Sequence, residues 1–271
     1  MTTSRHPLQI HVLARPGYAL RLGLRRGRAG NPPLVIFNGL GANLELLDGF
    51  VAALDERPLV VIDAPIVEAA LPFPPYRFSN LVREVDTVLI ELGFAEPIDV
   101  MGISWGGFVA QQFALQYPNR CRRLVLAASS PGVLMVPGPP TALIAMLGLG
   151  MLPGSLGRGF MSARVLGGVF LREPERVTEH LGRLAPSGTW TQIAQLLALW
   201  GWSSLPWLSH LRQPTLVLAG SEDPVAPLAN AYLLANLIPD ATLTVLEDGH
   251  GFLLSRPLQT ATCTLGFLTR P

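Results

Sequence analysis

Short apolar runs and longer amphipathic stretches alternate along this chain of 271 residues. Continuous apolar runs are typical of strands that are covered on both faces of a sheet. They predict strands at residues 34–37, 59–63, 97–101, 123–128, 214–220 and 241–246. Two further strands, 8–15 and 18–25, meet at Pro16-Gly17 and predict a hairpin. Helical patterns lie at 45–54, 81–92, 107–115, 227–237 and 258–268. This alternation predicts an α/β protein, with a mostly parallel sheet flanked by helices.

The alternation is interrupted once, between residues 131 and 213. This stretch has no strand pattern, but it contains helix-like runs at 141–152, 176–184 and 191–202. It also contains every tryptophan except Trp105. We therefore expect a core domain formed by residues 1–132 and 213–271, with residues 133–212 inserted as a helical cap.

Composition and charge exclude several classes of function. A net charge of +1 gives no electrostatic reason to expect nucleic-acid binding. Two cysteines, Cys121 and Cys263, provide neither a disulfide framework nor a metal cluster, and we predict no metal or cofactor. The first residues lack the apolar stretch of a signal peptide, and the longest apolar run, 142–152, is too short for a transmembrane segment. We expect a soluble, cytoplasmic protein whose apolar excess lies in a core or against an apolar partner.

A G-x-S-x-G motif, Gly102-Ile103-Ser104-Trp105-Gly106, lies between a predicted strand and a predicted helix. In the α/β-hydrolase fold such a turn lifts the serine hydroxyl above the sheet, and its glycines let strand and helix approach closely. The N-terminus of the following helix favours negative charge at the serine. The motif predicts Ser104 as a nucleophile.

A serine hydroxyl needs a base to remove its proton and a carboxylate to orient that base. In this fold the chain order is serine, acid, histidine. Asp223 follows the predicted strand 214–220, and His250 follows the strand 241–246, so both are expected at the same sheet edge. Glu222 is a rival acid; Asp248 is another, but it is very close in sequence to His250.

Two backbone amides are expected to bind the developing oxyanion. One is that of Trp105, directly after the nucleophile. The other is assigned to Leu40, in the glycine-flanked run Asn38-Gly39-Leu40-Gly41. The Asn38 side chain is expected to orient this run or to line the substrate site. The alternative is that the run is an ordinary turn.

With these motifs placed, the sequence resembles the intracellular medium-chain-length poly(3-hydroxyalkanoate) depolymerases of bacteria. The specific stretches are Asn38-Gly39-Leu40-Gly41-Ala42-Asn43-Leu44-Glu45 and Arg212-Gln213-Pro214-Thr215-Leu216-Val217-Leu218-Ala219-Gly220. The resemblance covers most of the chain and is weakest in the expected cap. It implies hydrolysis of an aliphatic polyester by Ser104, Asp223 and His250. One departure is the loop at 64–70, which has no glycine where the family usually has a glycine-rich one.

We therefore expect a serine esterase acting on polyhydroxyalkanoate or its oligomers, with a polyester or hydrophobic ester as substrate and an association with storage granules left open. Trp200, Trp202 and Trp207 are candidates for the substrate lining, and ordinary core packing is their alternative. The same triad would serve a small-molecule carboxylesterase, a lactonase or a C–C hydrolase. A non-catalytic granule-binding protein is a further alternative. The oligomeric state stays open.

Overall fold

The computed structural model describes residues 8–28, 30–67, 76–148, 162–181 and 188–270. An eight-stranded sheet forms its centre, in the order β1-β2-β4-β3-β5-β6-β7-β8. The strands are β1 (Gln9–Arg15), β2 (Tyr18–Arg25), β3 (Leu34–Phe37), β4 (Leu59–Ile62), β5 (Ile98–Ile103), β6 (Cys121–Ala127), β7 (Thr215–Gly220) and β8 (Ala241–Leu246). The β1–β2 and β2–β4 pairs are antiparallel, and all others are parallel. The predicted α/β fold and its mostly parallel sheet are confirmed.

Helices cover both faces of this sheet. They are α1 (Asp48–Ala53), which follows a 3-10 turn at Leu44–Leu47, α2 (Phe78–Glu91), α3 (Trp105–Gln116), α4 (Pro140–Gly148), α5 (162–166), α6 (Gly168–Arg172), α7 (Glu175–Leu181), α8 (Thr189–Leu199), α9 (Leu228–Leu237), α10 (Phe252–Ser255) and α11 (Pro257–Leu268). A second 3-10 turn lies at Leu205–His210. Within the described ranges, no helix has the length and apolar character that crossing a bilayer requires.

Alternate residues of each parallel strand supply the two halves of the core, because successive side chains of a strand point to opposite faces. Val35 and Phe37 of β3 join one buried cluster with residues of α2, α3 and α9. Leu34 and Ile36 join a second cluster with residues of α1, α10 and α11. The central strands β3, β4, β5 and β7 therefore lack polar alternation because both of their faces are buried, as the sequence indicated.

In the described parts of the stretch between β6 and β7, 133–148, 162–181 and 188–212, the regular structure is helical, and loops join the helices. One isolated bridge joins Gly132 to Ser203. The stretch contains α4 to α8. The ends of two predicted helical runs, 149–152 and 182–184, lie outside the described residues. The short helices α5 and α6 were not predicted, because their glycine-rich sequence has no helical periodicity.

The parallel strands place their connecting loops at one edge of the sheet. Loops after β3, β4, β5, β7 and β8 all leave from the carboxyl ends of their strands. This is the edge where open α/β sheets carry their sites. Apart from the three candidate lining tryptophans, the predicted site residues lie in these loops or, for Trp105, at the first position of α3.

Candidate active site

Ser104 lies in a strained turn between β5 and α3. Its backbone has φ 53° and ψ −117°, a conformation that residues other than glycine rarely adopt and that typically costs about 1–3 kcal/mol. The Ser104 amide donates to the carbonyl of Ala127 at 2.8 Å, and the Ser104 carbonyl accepts from Gly107 at 2.9 Å. These bonds to the neighbouring strand and to the helix hold the turn in place.

Two glycines make this turn possible by letting backbones approach. A Cβ added to Gly106 would lie 2.1 Å from the Phe37 carbonyl oxygen, and one added to Gly102 would lie 2.4 Å from the carbonyl oxygen of Gly106. Both distances are far below a normal carbon–oxygen contact. The motif therefore has glycine where the strand, the turn and the loop after β3 touch.

The structure brings Ser104, His250 and Asp223 together in one chain of hydrogen bonds. His250 Nε2 lies 2.9 Å from Ser104 Oγ, and His250 Nδ1 lies 2.7 Å from Asp223 Oδ2. An ionised carboxylate only accepts, so Nδ1 carries the proton and Nε2 is free to accept from the serine hydroxyl. This is the arrangement in which an imidazole removes a proton from a serine.

Asp223 is held rigidly by its own loop. Its Oδ1 accepts from the amides of Val225 and Ala226, both at 2.8 Å, and its side chain is fully buried. Three hydrogen bonds thus compensate for removing the carboxylate from water. The side chain of His250 is 11% exposed, so one edge of the ring remains accessible.

The rival acids have other partners. Glu222 forms a surface ion pair with Arg172 of α6, and both side chains are about half exposed. Asp248 accepts from the amides of Val169 and Gly249, from Ser255 and from Arg256. Burial opposes ionisation of Asp248, but these hydrogen bonds outweigh it and lower the pKa of its carboxyl. Asp248 therefore fixes the shape of the loop that presents His250.

Several backbone amides of the loop after β3 already donate hydrogen bonds. Gly39 donates to Asn38 Oδ1 at 2.9 Å, Gly41 to Gln195 Oε1 at 3.1 Å and Ala42 to the Gly39 carbonyl at 3.2 Å. The amides of Leu40 and Trp105 make no hydrogen bond within the described part of the chain. A Cβ on Gly39 would lie 3.6 Å from Ser104 Cβ, so this loop runs directly beside the serine. Both amides are thus free of other hydrogen bonds in the described part of the chain, and Trp105 directly follows Ser104.

Asn38 is buried, and its side chain bonds to the Gly39 amide of this loop and to Asp63. Its Nδ2 donates to Asp63 Oδ1 at 3.0 Å, while Asp63 Oδ2 accepts from Arg21 at 3.0 Å and from the Leu44 amide at 3.3 Å. Burial raises the pKa of Asp63, against the opposing effect of these donors. The cavity between Asn38, Asp63 and Trp105 has a volume of about 10 Å³, room for about one water molecule and too small for an ester substrate.

Helix α8 contacts two of the loops at this sheet edge. The Gln195 side chain accepts from Gly41 and donates to the Pro65 carbonyl at 3.2 Å. Thr191, one turn earlier, exchanges two 2.9 Å hydrogen bonds with the backbone of Val67. Sequence reasoning missed Thr191 and Gln195. Their signal was the i, i+4 spacing of two polar residues that lie among the apolar residues of the helix.

A second part of the 133–212 segment contacts the loops after β7 and β8. Val169 of α6 donates to Asp248, and the carbonyl of Leu166 accepts from Gly251 at 3.0 Å. Together with the Arg172–Glu222 pair, these bonds attach α5 and α6 to the loops that carry Asp223 and His250. Residues of the 133–212 stretch are thus bonded to the loops after β3 and β4 and to the loops that carry Asp223 and His250.

The three candidate tryptophans occupy different environments. Trp200 is 85% exposed at the end of α8. Trp202 packs its ring against Phe78 and Phe108 of α2 and α3, with centroids 5.1 and 5.4 Å apart, and donates from Nε1 to Gln112. Trp207 packs on Trp202 at 5.7 Å. The rings of Trp202 and Trp207 therefore join the inserted segment to the core, which is the packing alternative.

Across the described residues, no group of histidine, cysteine or carboxylate side chains is arranged to hold a metal ion. His250, Asp223 and Ser104 are bonded to each other. The arrangement suits proton transfer and nucleophilic attack by the protein's own groups.

Comparison with known proteins agrees with this geometry. Residues 32–257 match the family model described as the alpha/beta hydrolase fold. The chain is 41% identical over 254 residues to a poly(3-hydroxyalkanoate) depolymerase of Ectopseudomonas oleovorans, an alignment that covers 92% of this chain and 89% of that protein. It is 27% identical to 3-oxoadipate enol-lactonase 2 of Acinetobacter baylyi, over 83% of this chain and 84% of that protein.

Solved structures share the same fold. A hydrolase from Pseudomonas aeruginosa PA01 superposes with a TM-score of 0.80 at 25% identity, over 96% of this chain and 98% of that one. The enol-lactonase from Burkholderia xenovorans LB400 superposes with a TM-score of 0.78 at 20% identity, over 96% of this chain and all of that one.

Proposed function

The chain belongs to the α/β-hydrolase family and has a poly(3-hydroxyalkanoate) depolymerase among its relatives, and on this premise we propose that it is a serine esterase that hydrolyses polyhydroxyalkanoate or its oligomers. The observation that carries the proposal is 41% identity to that depolymerase over nearly the whole of both chains. The hydrogen-bonded series Ser104, His250, Asp223 supports it with a nucleophile, a base and an orienting acid.

The reaction follows from these positions. Ser104 Oγ attacks the ester carbonyl while its proton passes to His250 Nε2, and the carbonyl π electrons move to the oxygen. Collapse of the tetrahedral intermediate breaks the ester C–O bond, and His250 returns the proton to the leaving alkoxide. Water then attacks the acyl-enzyme with His250 again as base, which releases the acid and restores Ser104.

The amides of Leu40 and Trp105 are proposed to bind the oxyanion in both steps. An oxyanion donor typically contributes about 3–4 kcal/mol of transition-state stabilisation. Their support is that neither amide has a hydrogen-bond partner in the described chain, that Trp105 directly follows Ser104, and that Gly39, the residue before Leu40, lies beside Ser104. Trp105 also begins α3, whose N-terminus favours negative charge at this point.

We further propose that residues 133–212 form a cap and that one face of α8 adsorbs on solid polyester, in the cytoplasm, at the surface of storage granules. Trp190, Ile193, Leu197 and Trp200 are all exposed and recur at the spacing of one helical face. The helix carries no charged residue. Exposed contiguous apolar surface indicates an apolar partner, and the opposite side of α8 bonds to loops of the site.

Adsorption provides the test of this surface. Trp200→Ser is expected to reduce binding to medium-chain polyester particles several-fold in a sedimentation assay, with turnover of a dissolved p-nitrophenyl ester unchanged. Leu258→Ser is the matched control, because Leu258 is 73% exposed on α11, on the other face of the sheet. Equal losses of particle binding in both variants would mean nonspecific adsorption rather than a defined binding face.

The reaction itself is tested on the polymer. Wild-type protein should release 3-hydroxyalkanoate monomers or oligomers from a medium-chain polyester emulsion, and Ser104→Ala should not. Labelling of Ser104 by a fluorophosphonate is expected too; its absence would favour a non-catalytic binding protein.

A small-molecule esterase or lactonase is the second candidate. The relationship to 3-oxoadipate enol-lactonase 2 favours it, as does the glycine-free run 64–67, which α8 holds through Pro65 and Val67. Hydrolysis of p-nitrophenyl esters or lactones without polymer release would select this reading.

A further inference from the structure

We propose that Gln195 is a positioning residue through which the inserted segment aligns the oxyanion loop, defined as residues 38–44. The proposal rests on the proposed function, because it concerns the role of the Leu40 amide. Gln195 is 1% exposed, on the inner side of α8. Its Oε1 accepts from the Gly41 amide, its Nε2 donates to the Pro65 carbonyl, and its backbone carbonyl accepts from Trp105 Nε1 at 2.9 Å.

Two of these contacts, those with Gly41 and with the Trp105 side chain, place Gln195 beside the residues of both proposed oxyanion donors. Gly41 directly follows Leu40, and Trp105 is the other donor residue. Other bonds in the loop come from the core domain itself, since Asn38 holds Gly39 and Asp63 holds Leu44. The contact at Gly41 is a side-chain bond that reaches the loop from the 133–212 segment, and it holds the loop between those two anchors.

The conformation of Gly41 explains why an anchor is needed there. Gly41 has φ +67°, in the left-handed region, and glycine also samples other regions readily. The Leu40–Gly41 peptide shares the Leu40 Cα with the peptide that carries the Leu40 N–H, and rotation about the Leu40 backbone bonds changes their relative orientation. A buried acceptor at 3.1 Å from the Gly41 nitrogen limits this rotation. Gln195 therefore selects one orientation of the loop rather than contacting the substrate.

Replacement by an apolar side chain of similar size tests this role. Gln195→Met removes both side-chain hydrogen bonds and nearly preserves volume. We expect kcat on a p-nitrophenyl ester to fall at least tenfold with KM within twofold, since a misplaced oxyanion donor affects the transition state and not substrate binding. Affinity for a boronic acid, which forms a tetrahedral adduct with serine, should fall by a similar factor.

Thr191→Val is the matched control. Thr191 lies one turn earlier on α8 and bonds to Val67, in the loop after β4 and not in the oxyanion loop. This variant removes two hydrogen bonds between the same helix and the core, at the same junction. It should lower the melting temperature as much as Gln195→Met does, while kcat stays within twofold of wild type.

Two results would overturn the proposal: unchanged kcat in a folded Gln195→Met, or equal losses of kcat in both variants, which would mean that only the seating of α8 matters. If Gln195→Met does not fold, Gln195→Asn replaces it, because the shorter amide loses the reach to Gly41 and keeps a polar group. Failure of the proposed function is recognised separately, as absence of ester hydrolysis in the wild type.

Discussion

Adding a single methyl group at Gly106 should impair catalysis while the protein still folds. The added Cβ of Gly106→Ala would lie 2.1 Å from the Phe37 carbonyl oxygen and 2.6 Å from that of Asn38. Real Cβ atoms essentially never approach closer than 3.0 Å, so α3 and the loop after β3 must separate by about 0.9 Å. Both obstructing atoms belong to the backbone, and neither can turn away as a side chain would.

This separation acts on the two proposed oxyanion donors. The Trp105 amide belongs to the first turn of α3, and Leu40 belongs to the loop that is pushed away from it. A displacement of about 1 Å in a catalytic group costs on the order of 100-fold in rate. Overpacking of this kind costs about 1–3 kcal/mol of stability. We therefore expect kcat to fall on the order of 100-fold while the protein remains folded.

The assay combines steady-state hydrolysis of a p-nitrophenyl ester with thermal unfolding. Gly266→Ala is the control, because a Cβ at Gly266 meets no atom within 4 Å and the residue lies inside α11. Alanine there should raise stability by about 0.5–1 kcal/mol and leave kcat unchanged. A Gly106→Ala variant with kcat within twofold of wild type would refute the reasoning about the elbow.

Three further predictions follow from the charged groups. Asp223→Asn should lower kcat by about 10³–10⁴-fold with little change in unfolding, because an amide no longer selects the required tautomer of His250; steady-state kinetics checks it. Asp248→Asn should cost about 1–3 kcal/mol at neutral pH in urea unfolding. Since the folded pKa of Asp248 is lowered, its contribution is present above the unfolded pKa of about 3.9 and is lost as pH falls through the folded value, so the two unfolding curves should converge in acid. Arg57→Met should destabilise by about 2–4 kcal/mol without affecting kcat, because it removes one of the two ion-pair partners of the buried Asp99; unchanged urea unfolding would show that the remaining arginines near Asp99 suffice.

The fold was predictable because each strand of the sheet centre is buried on both faces. Such a strand is a continuous apolar run, and Leu34–Phe37 is visible at once. Helices α5 and α6 were not visible, since contacts between the inserted segment and the loops after β7 and β8 stabilise them. Gly168, for example, has φ +51° and lies against Asp248, a setting that the local sequence does not reveal.

The candidate site was predictable to the extent that it sits at strand ends. Ser104, Asp223 and His250 each follow a recognisable strand, and the shared edge of a parallel sheet brings them together. The positions of Gln195 and Thr191 depend on how α8 packs against the core. The spacing of residues along the sequence does not reveal that packing. Asp63 was visible at the end of β4, but its bond to Asn38 required the register of β3 on β4.

The adjacency of β6 and β7 has a consequence for synthesis on the ribosome. Leu124 pairs with Thr215, so the edge of β6 stays unpaired until the whole inserted segment has been made. At about 5–20 residues per second, that interval lasts on the order of 5–20 s. During this time the apolar strand β6, which pairs with the Ser104-bearing strand β5 on its other side, is open to wrong pairing. The nascent chain acquires its acid and its base only with the last two strands.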